Sequence, residues 1–337
     1  MHFSLLSSKN LKKLSKLSYK EDKMRPIRIA TRASRLALIQ SNYIRKQLQN
    51  ICPELEISIV EVSTKGDLDK SDFLYKSESI GLFTSEVEKF LLEGKADIAV
   101  HSLKDLPTVS IPELVIAAIP KRESAADALI SFVPVTSISD LPLGATVGTS
   151  SLRRIAMLKH IRNDLKCVPL RGNVETRVHA VALGKVDAAI IACAGLNRLN
   201  IADKISVVLA PNEFVPAPAQ GALAVQIRTD DAELAKLVSK LDDEHTRVAV
   251  EIERYILAAA QGGCSIPLGV YAEIHDDTIT IYVMFSDTEA KKYIKLSKTG
   301  SVAEGKALAK TLVEELFEAG AGEILDQIKD RLKDNNL

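Results

Sequence analysis

The sequence predicts an α/β protein made of two sheet-and-helix units followed by a smaller α+β unit. Three observations carry this. From Pro26 onward, strand-like segments alternate with helix-like ones, the pattern of a mainly parallel sheet with helices on both faces. Residues 211–221, PNEFVPAPAQG, hold three prolines and read as a crossover between units. Near the end, VYAEI and TITIYVMF read as a hairpin around Asp276–Asp277, ahead of two helices between about 302 and 334.

Taken in order, Ile27 to Thr31 reads as a short buried strand. From Ser34, the run SRLALIQSNYIRKQLQ places Leu36, Ile39, Tyr43, Ile44 and Leu48 on or near one face at helical spacing. EISIVEVS (56–63) alternates with a period of two, as a half-buried strand does. Ser85 with Glu88 forms a capping box for a helix ending near Gly94, and ADIAVHSL is a strand again. A second unit begins near Ala126, with ALISF, TVGTS, CVPLR and AAIIACAG as strands and helices starting near Ser151 and Val174. ALAVQIR (222–228) is one more strand, and two helices then run to Ala260.

Composition narrows the function. Of 337 residues, 46% are hydrophobic and 26% charged, an ordinary globular balance. Lysine plus arginine equals aspartate plus glutamate, 44 each, so affinity for an anion must come from local clustering. Trp is absent and aromatics are 4%, which argues against surfaces that stack single-stranded nucleic acid. No apolar run approaches the roughly 18 residues of a membrane span. Cys52, Cys167, Cys193 and Cys264 are widely spaced without a CxxC pair, which suits a reducing compartment. No HExxH, paired CxxC or acidic cluster suggests a metal site, and no dinucleotide fingerprint or Walker loop is present. Residues 1–24, rich in Lys and Ser, lack the apolar stretch of a secretory signal. They read as a disordered leader in a cytoplasmic protein or, alternatively, as an organelle transit peptide, though they contain no Arg.

Ligands of open α/β sheets bind beyond the carboxyl ends of the strands. Four polar clusters fall at such ends: Arg32-Ala33-Ser34, His101-Ser102-Leu103-Lys104-Asp105, Thr149-Ser150-Ser151-Leu152-Arg153-Arg154, and Arg171-Gly172-Asn173 with Arg177 one turn on. Hydroxyls and free N–H groups at a helix start are donors for an anion, and arginines add bidentate recognition of carboxylate or phosphate. Taken singly, Ser150 reads as only an N-cap and Arg153 as only a solvated helix residue. Together the clusters indicate a cleft for a small ligand carrying several carboxylates or phosphates. Asp105 is the one acid in this basic set. It either pairs with a cationic group on the substrate and passes protons, or forms a structural salt bridge. Cys264 follows Gly262-Gly263, on a backbone able to present the thiol, and is the choice if one thiol is used covalently. Cys193 reads as a buried small hydrophobe within a strand.

From Ile27 to the end the chain resembles the porphobilinogen deaminase family. The resemblance rests on IRIATRASRLALIQ, STKGD, GLFTSEVE, ADIAVHSLKDLPT, VGTSSLRR, LRGNVETR, IIACAGLNRL, PAPAQGALAV and GGCSIPLG, in family order. It implies two doubly wound domains like those of type 2 periplasmic binding proteins and a small third domain. Residues 25–122 with 219–240 would form the first, bearing the catalytic aspartate and cleft. Residues 123–218 would form the second, binding carboxylates, and 241–337 the third. It also implies a dipyrromethane cofactor on a thioether to Cys264, porphobilinogen as substrate, and a monomeric enzyme without nucleic-acid or membrane partners. Asp105 matches the catalytic aspartate, proposed to assist loss of ammonia and deprotonation of the attacked pyrrole. Binding positions carry over to Arg32, Ser34, Gln40, Lys76, Ser102, Lys104, Thr149, Ser150, Ser151, Arg153, Arg154, Arg171, Gly172, Asn173, Arg177, Arg198 and Gln220.

The chain departs from the family at Ile80, where many members have lysine in a loop over the active site; Lys76 is expected to compensate. Arg35 replaces a common proline and Gln226 a common glutamate, neither expected to touch the chemistry. The competing reading is a non-catalytic carboxylate-binding protein of the periplasmic-binding-protein type, which needs neither Asp105 within HSLKD nor Cys264 within GGCSIP.

Overall fold

A computed structural model of the chain describes residues 25–63, 84–260 and 266–334. Two five-stranded sheets carry the first two units. The first contains β1 (Ile27–Arg32), β2 (Ile57–Val62), β3 (Ile98–Ser102), β4 (Leu114–Ala118) and β10 (Leu223–Arg228), in the order β2-β1-β3-β10-β4. The second contains β5 (Asp127–Ser131), β6 (Thr146–Gly148), β7 (Lys166–Val168), β8 (Ala188–Ala192) and β9 (Val207–Leu209), in the order β7-β6-β8-β5-β9. The orders are equivalent. In each sheet the second strand from one edge runs antiparallel to its neighbours, and it is the strand delivered by a crossover from the other unit. The other two pairings of each sheet are parallel, so four of its five strands run the same way.

Helices α1 (Arg35–Ile51), α2 (Ser85–Leu92), α3 (Leu152–Ile161), α4 (Val174–Ala182) and α5 (Cys193–Arg198) follow strand ends and pack on the two sheets. After β10 come α6 (Ala232–Val238) and α7 (Glu244–Ala259). The third unit is the antiparallel sheet β11 (Leu268–His275), β12 (Thr278–Ser286) and β13 (Tyr293–Ser301), with α8 (Gly305–Glu318) and α9 (Ala321–Asp334). Its core joins Ile252 and Ile256 of α7 to Ile279, Ile281, Val283, Leu312, Leu316 and Ile324. Full burial of each such side chain contributes about 1.5–3 kcal/mol.

Three strands are not read from the sequence, β4, β9 and β13, and each is one of the two edges of its sheet. An edge strand meets fewer neighbours, so its apolar pattern is weaker; β13, YIKLSKTGS, carries lysines and is nowhere buried. The expected Ser85–Glu88 capping box is absent. Thr84 is the N-cap, Ser85 is the first helical residue, and Glu88 is buried and accepts from Gln226 Nε2 at 3.0 Å. Cys193 is buried as expected, but at the start of α5 rather than in a strand. On α1 the buried face holds Ala37, Gln40, Ser41, Ile44 and Leu48, while Tyr43 faces out. Of the two polar residues there, Gln40 reaches the end of β3, while the buried Ser41 hydroxyl has no hydrogen-bond partner.

One buried carboxylate fastens the crossovers. Glu253 of α7 is fully buried and binds the Arg122 guanidinium at 2.7 and 3.1 Å. It also accepts from the backbone N–H of Ala219 at 2.5 Å and of Ala272 at 2.9 Å. Arg122 lies on the outward crossover, Ala219 on the return and Ala272 in the third unit, so one side chain touches all three. Gly221 lies where the crossovers meet, with φ +89; a Cβ there would stand 2.4 Å from the Glu123 carbonyl oxygen, so only glycine fits.

Candidate active site

The site grows from strand ends. β1 ends at Arg32, and Ser34 caps α1 by accepting from Ala37 N–H at 3.3 Å. The buried Gln40 donates to Ser102 Oγ at 3.0 Å, tying α1 to the end of β3. A single 3-10 turn, Leu103–Asp105, then presents Lys104 and Asp105. It is held on both sides. Leu103 N–H donates to Ala222 O at 3.0 Å, and Arg254 of α7 donates to the carbonyls of Leu106 and Pro107 at 2.9 and 2.7 Å. Arg32, Ser34, Gln40, His101, Ser102 and Asp105 line a cavity of about 90 Å³ at these strand ends.

The second unit contributes the facing wall. Thr149 is buried and accepts from Ser151 N–H at 3.2 Å. Ser150 Oγ accepts from Leu170 N–H at 3.2 Å, so Ser151, not Ser150, is the N-cap of α3. Asn173 caps α4 by accepting from Thr176 N–H at 2.8 Å, and Gly172 before it takes φ +100. Arg177 donates to Gly172 O at 3.0 Å. Arg198, at the end of α5, donates to Gly221 O at 2.8 Å.

At the floor lies Asp127, the first residue of β5 and fully buried. Its two oxygens accept from Arg153 Nη2 at 2.8 Å and Arg154 Nη2 at 2.7 Å. Gln220 donates to the same carboxylate at 2.9 Å and accepts from Lys104 Nζ at 3.4 Å. Lys104 of one wall is thereby linked through the crossover to the arginine pair of the other. Arg153 and Arg154 spend a further N–H each on the carbonyls of Val215 (2.7 Å) and Ile190 (2.9 Å). Arg153 is therefore a buried ion-pair member, not a solvated helix residue.

The electrostatics follow from crowding cations out of water. Burial pulls Lys104 below its ordinary pKa, opposed by Asp105 and Asp127 and assisted by Arg154 and Arg153. Burial, with Arg154 and Arg171 nearby, pulls Arg177 down to about 10, and Asp105 opposes the shift. Burial would raise Asp127, but the charges and hydrogen bonds of Arg153 and Arg154 outweigh it and hold the carboxyl well below its ordinary range. Asp105 and Arg154 thus act on both Lys104 and Arg177, and Arg171 acts on Arg177.

Arg153 Nε, Arg154 Nε and two nitrogens of Arg171 are buried donors without a hydrogen-bond partner. An unmet buried donor costs about 1–3 kcal/mol, so these groups fit a ligand that supplies several carboxylate oxygens. The implied dipyrromethane matches that chemistry. Cys264, Lys76 and Ile80 lie outside the described residues. No cluster of metal-ligating side chains occurs among the described residues.

Residues that sequence reading passed over hold the site in place: Asp127, Arg122, Glu253 and Arg254. Glu253 carried a legible signal, since Ala249, Val250, Ile252, Glu253 and Ile256 form one buried stripe and an acid within it needs a partner. Asp127 carried a weaker one, an acid opening an otherwise apolar strand.

Comparison with known proteins gives a consistent result. The family profile described as porphobilinogen deaminase, dipyromethane cofactor binding domain, matches residues 27–236, and that of the porphobilinogen deaminase C-terminal domain matches 247–318. Porphobilinogen deaminase of Maridesulfovibrio salexigens is 42% identical over 91% of this chain and 100% of its own. That of Syntrophobacter fumaroxidans is 39% identical over 90% of this chain and 98% of its own. Among solved structures, the periplasmic VFT2 domain of Bordetella pertussis BvgS is similar with a TM-score of 0.36 and 17% identity, over 71% of this chain and 93% of that one.

Proposed function

The chain belongs to the porphobilinogen deaminase family, and from that premise we propose how its residues divide the work of the reaction. The protein is a transferase, a hydroxymethylbilane synthase of tetrapyrrole biosynthesis. It condenses four porphobilinogen molecules stepwise, with loss of ammonia, and releases hydroxymethylbilane by hydrolysis. When bound, the dipyrromethane cofactor supplies the pyrrole carbon to which the first substrate is joined.

In our reading Asp105 is the acid–base group. As the carboxylic acid it gives a proton to the departing amine; the resulting carboxylate pairs with N–H groups of the substrate and receives the proton lost from the attacked pyrrole carbon, which restores the acid. Arg154, Arg171 and Arg177 hold ring carboxylates of the cofactor and growing chain, while Arg32 and Ser34 hold those of the incoming substrate. Arg153 and Gln220 act through Asp127 and Lys104, keeping the floor in register. Cys264 anchors the cofactor. The single observation that carries this reading is that Asp105, Arg154 and Arg171 all lie close enough to Arg177 to act on its charge, while buried donors of Arg154 and Arg171 lack a hydrogen-bond partner.

We also propose the three-domain division at 25–122 with 219–240, 123–218 and 241–337, since the three sheets fall within those limits. A cytoplasmic monomer without nucleic-acid or membrane partners is the accompanying proposal. Cys52, Cys167 and Cys193 are free thiols, which suits a reducing compartment. The cleft walls come from one chain, and no helix among the described residues is long and apolar enough to cross a membrane. The carboxylate-binding alternative leaves family membership unexplained.

The deciding experiment is the intact mass of the purified protein beside that of Cys264→Ser. The wild type should carry two porphobilinogen units less their ammonias, and the variant should not. An unmodified wild type that gains no mass on incubation with porphobilinogen would overturn the anchor assignment.

A further inference from the structure

We infer that His101 is a further ligand-facing residue of the Asp105 cavity, held with its proton on Nε2 and its Nδ1 lone pair bare by a buried chain that runs His101–Gln226–Glu88. The inference rests on the reading of Asp105 as the reacting end of the cleft.

The chain is made of three side chains with little contact with water, His101 at 5%, Gln226 at 1% and Glu88 at 7% exposure. Gln226 of β10 donates from Nε2 to Glu88 Oε1 at 3.0 Å, and its Oε1 lies 3.0 Å from His101 Nε2. The direction of each bond follows from the groups. Burial raises the pKa of Glu88 and the Gln226 hydrogen bond opposes that shift; the ionised carboxylate only accepts, so Gln226 turns its NH2 toward Glu88 and its carbonyl toward His101. A carbonyl also only accepts, so the imidazole carries its proton on Nε2, which leaves Nδ1 as an acceptor. Gln226 replaces a family glutamate, and an ionised glutamate could not donate to Glu88. Glutamine does both at once, so this replacement, expected from sequence to lie apart from the chemistry, completes the chain.

The location points to function. His101 is on β3, four residues before Asp105, and lines the same cavity as Arg32, Ser34 and Asp105. The chain crosses a layer otherwise built of Val87, Leu91 and Ala99, where apolar side chains would pack without desolvating a carboxylate. Three polar groups there are better explained by the need to orient the ring than by stability. Burial also pulls the imidazole down to about 4, so the ring is neutral at physiological pH. A neutral acceptor beside Asp105 adds no charge to the cavity and suits a neutral N–H donor, the pyrrole N–H of the substrate. His101 would fix the tilt of that ring while Asp105 exchanges protons. Glu88 and Gln226 are positioning residues, as partners behind a ligating histidine are.

The test is nitrogen NMR of 15N-histidine-labelled holoenzyme, read at His101. At rest, Nε2 should be protonated and Nδ1 of the lone-pair type. Porphobilinogen added to the slow Asp105→Asn holoenzyme should move the Nδ1 resonance and leave Nε2 in place. Glu88→Gln puts a group that donates as well as accepts behind Gln226, so the orientation is no longer fixed and mixed tautomers should appear. Glu88→Leu frees Gln226 to turn, and should give mixed tautomers and a kcat/KM about tenfold lower, the share of one hydrogen bond. A resting Nδ1–H tautomer, or an Nδ1 signal that porphobilinogen leaves unmoved, would overturn the inference. Should Glu88→Leu not fold, the two spectra of proteins with Glu88 intact still decide. Failure of the Asp105 assignment would show separately, as full turnover in Asp105→Asn, and the resting tautomer does not depend on it.

Discussion

Replacing Asp127 by asparagine removes one charge and almost no volume, and it tests the floor of the cleft directly. The wild-type carboxylate is fully buried and accepts three side-chain hydrogen bonds, from Arg153 (2.8 Å), Arg154 (2.7 Å) and Gln220 (2.9 Å). Asparagine keeps one oxygen and turns an NH2 toward a guanidinium that also only donates. Two buried guanidinium groups, at 4% and 6% exposure, are left without a counter-charge. Breaking a buried pair from one side costs about 3–5 kcal/mol, because the partner's desolvation is no longer offset. At roughly 2 °C per kcal/mol for a chain of this size, the thermal midpoint should fall by about 6–10 °C. Calorimetry of the purified variant measures it. The acid limb gives a second reading. The folded pKa of Asp127 is depressed below its ordinary 3.8, so its stabilisation is complete above that pH and is lost as pH falls toward the folded value. Asp127→Asn should therefore destabilise most at neutral pH, and its gap to the wild type should begin to narrow only as pH falls below 3.8 toward the folded value. The double variant Asp127→Asn/Arg153→Met should recover part of the loss, since it removes one unpaired charge along with its partner. A midpoint within about 2 °C of wild type at neutral pH would refute the account of the floor as a buried charge network.

Other expectations follow from the same geometry. Asp105→Asn should keep the cofactor mass while turnover falls by about 10²-fold or more, the usual share of a positioned acid–base group; a smaller change in a single-turnover assay would make Asp105 structural. Glu253→Gln should cost about 3–5 kcal/mol by stranding Arg122, and hydrogen exchange at Ala219 and Ala272 should quicken together because both amides bond that carboxylate. Protection unchanged at either amide would show that Glu253 does not couple the crossovers to the third unit. By contrast, Arg35→Ala breaks only the exposed Arg35–Glu175 pair across the cleft mouth, and should change stability by less than about 1 kcal/mol in denaturant melts.

Much of the site was legible because its chemistry is local in sequence. Ser34, Ser151 and Asn173 cap the helices that follow strand ends, so a hydroxyl or amide before a helical run marks the cleft wall without knowledge of the rest. The HSLKD and TSSLRR segments announced donors and one acid in the same way. What sequence misread was context. Glu88 has the right spacing for a capping box with Ser85, yet it turns inward to Gln226, which is 138 residues away along the chain. Ser150 looked like the cap, but Leu170 claims its oxygen. The edge strands β4, β9 and β13 escaped because periodicity records burial, and an edge is buried least.

The sequence by itself determined most of the elements, the family and the kinds of group that meet the ligand, since periodicity, caps and motifs act over a few residues. Only the tertiary structure decided which charges meet. Asp127 neutralises Arg153 and Arg154, 26 and 27 residues away, only because β5 is threaded antiparallel between β8 and β9. Glu253 joins Arg122, Ala219 and Ala272 only because two crossovers and a third sheet converge on α7. Both are consequences of burial. A charge taken out of water must find a partner, and which partner it finds is set by how the sheets are threaded rather than by its neighbours in the chain.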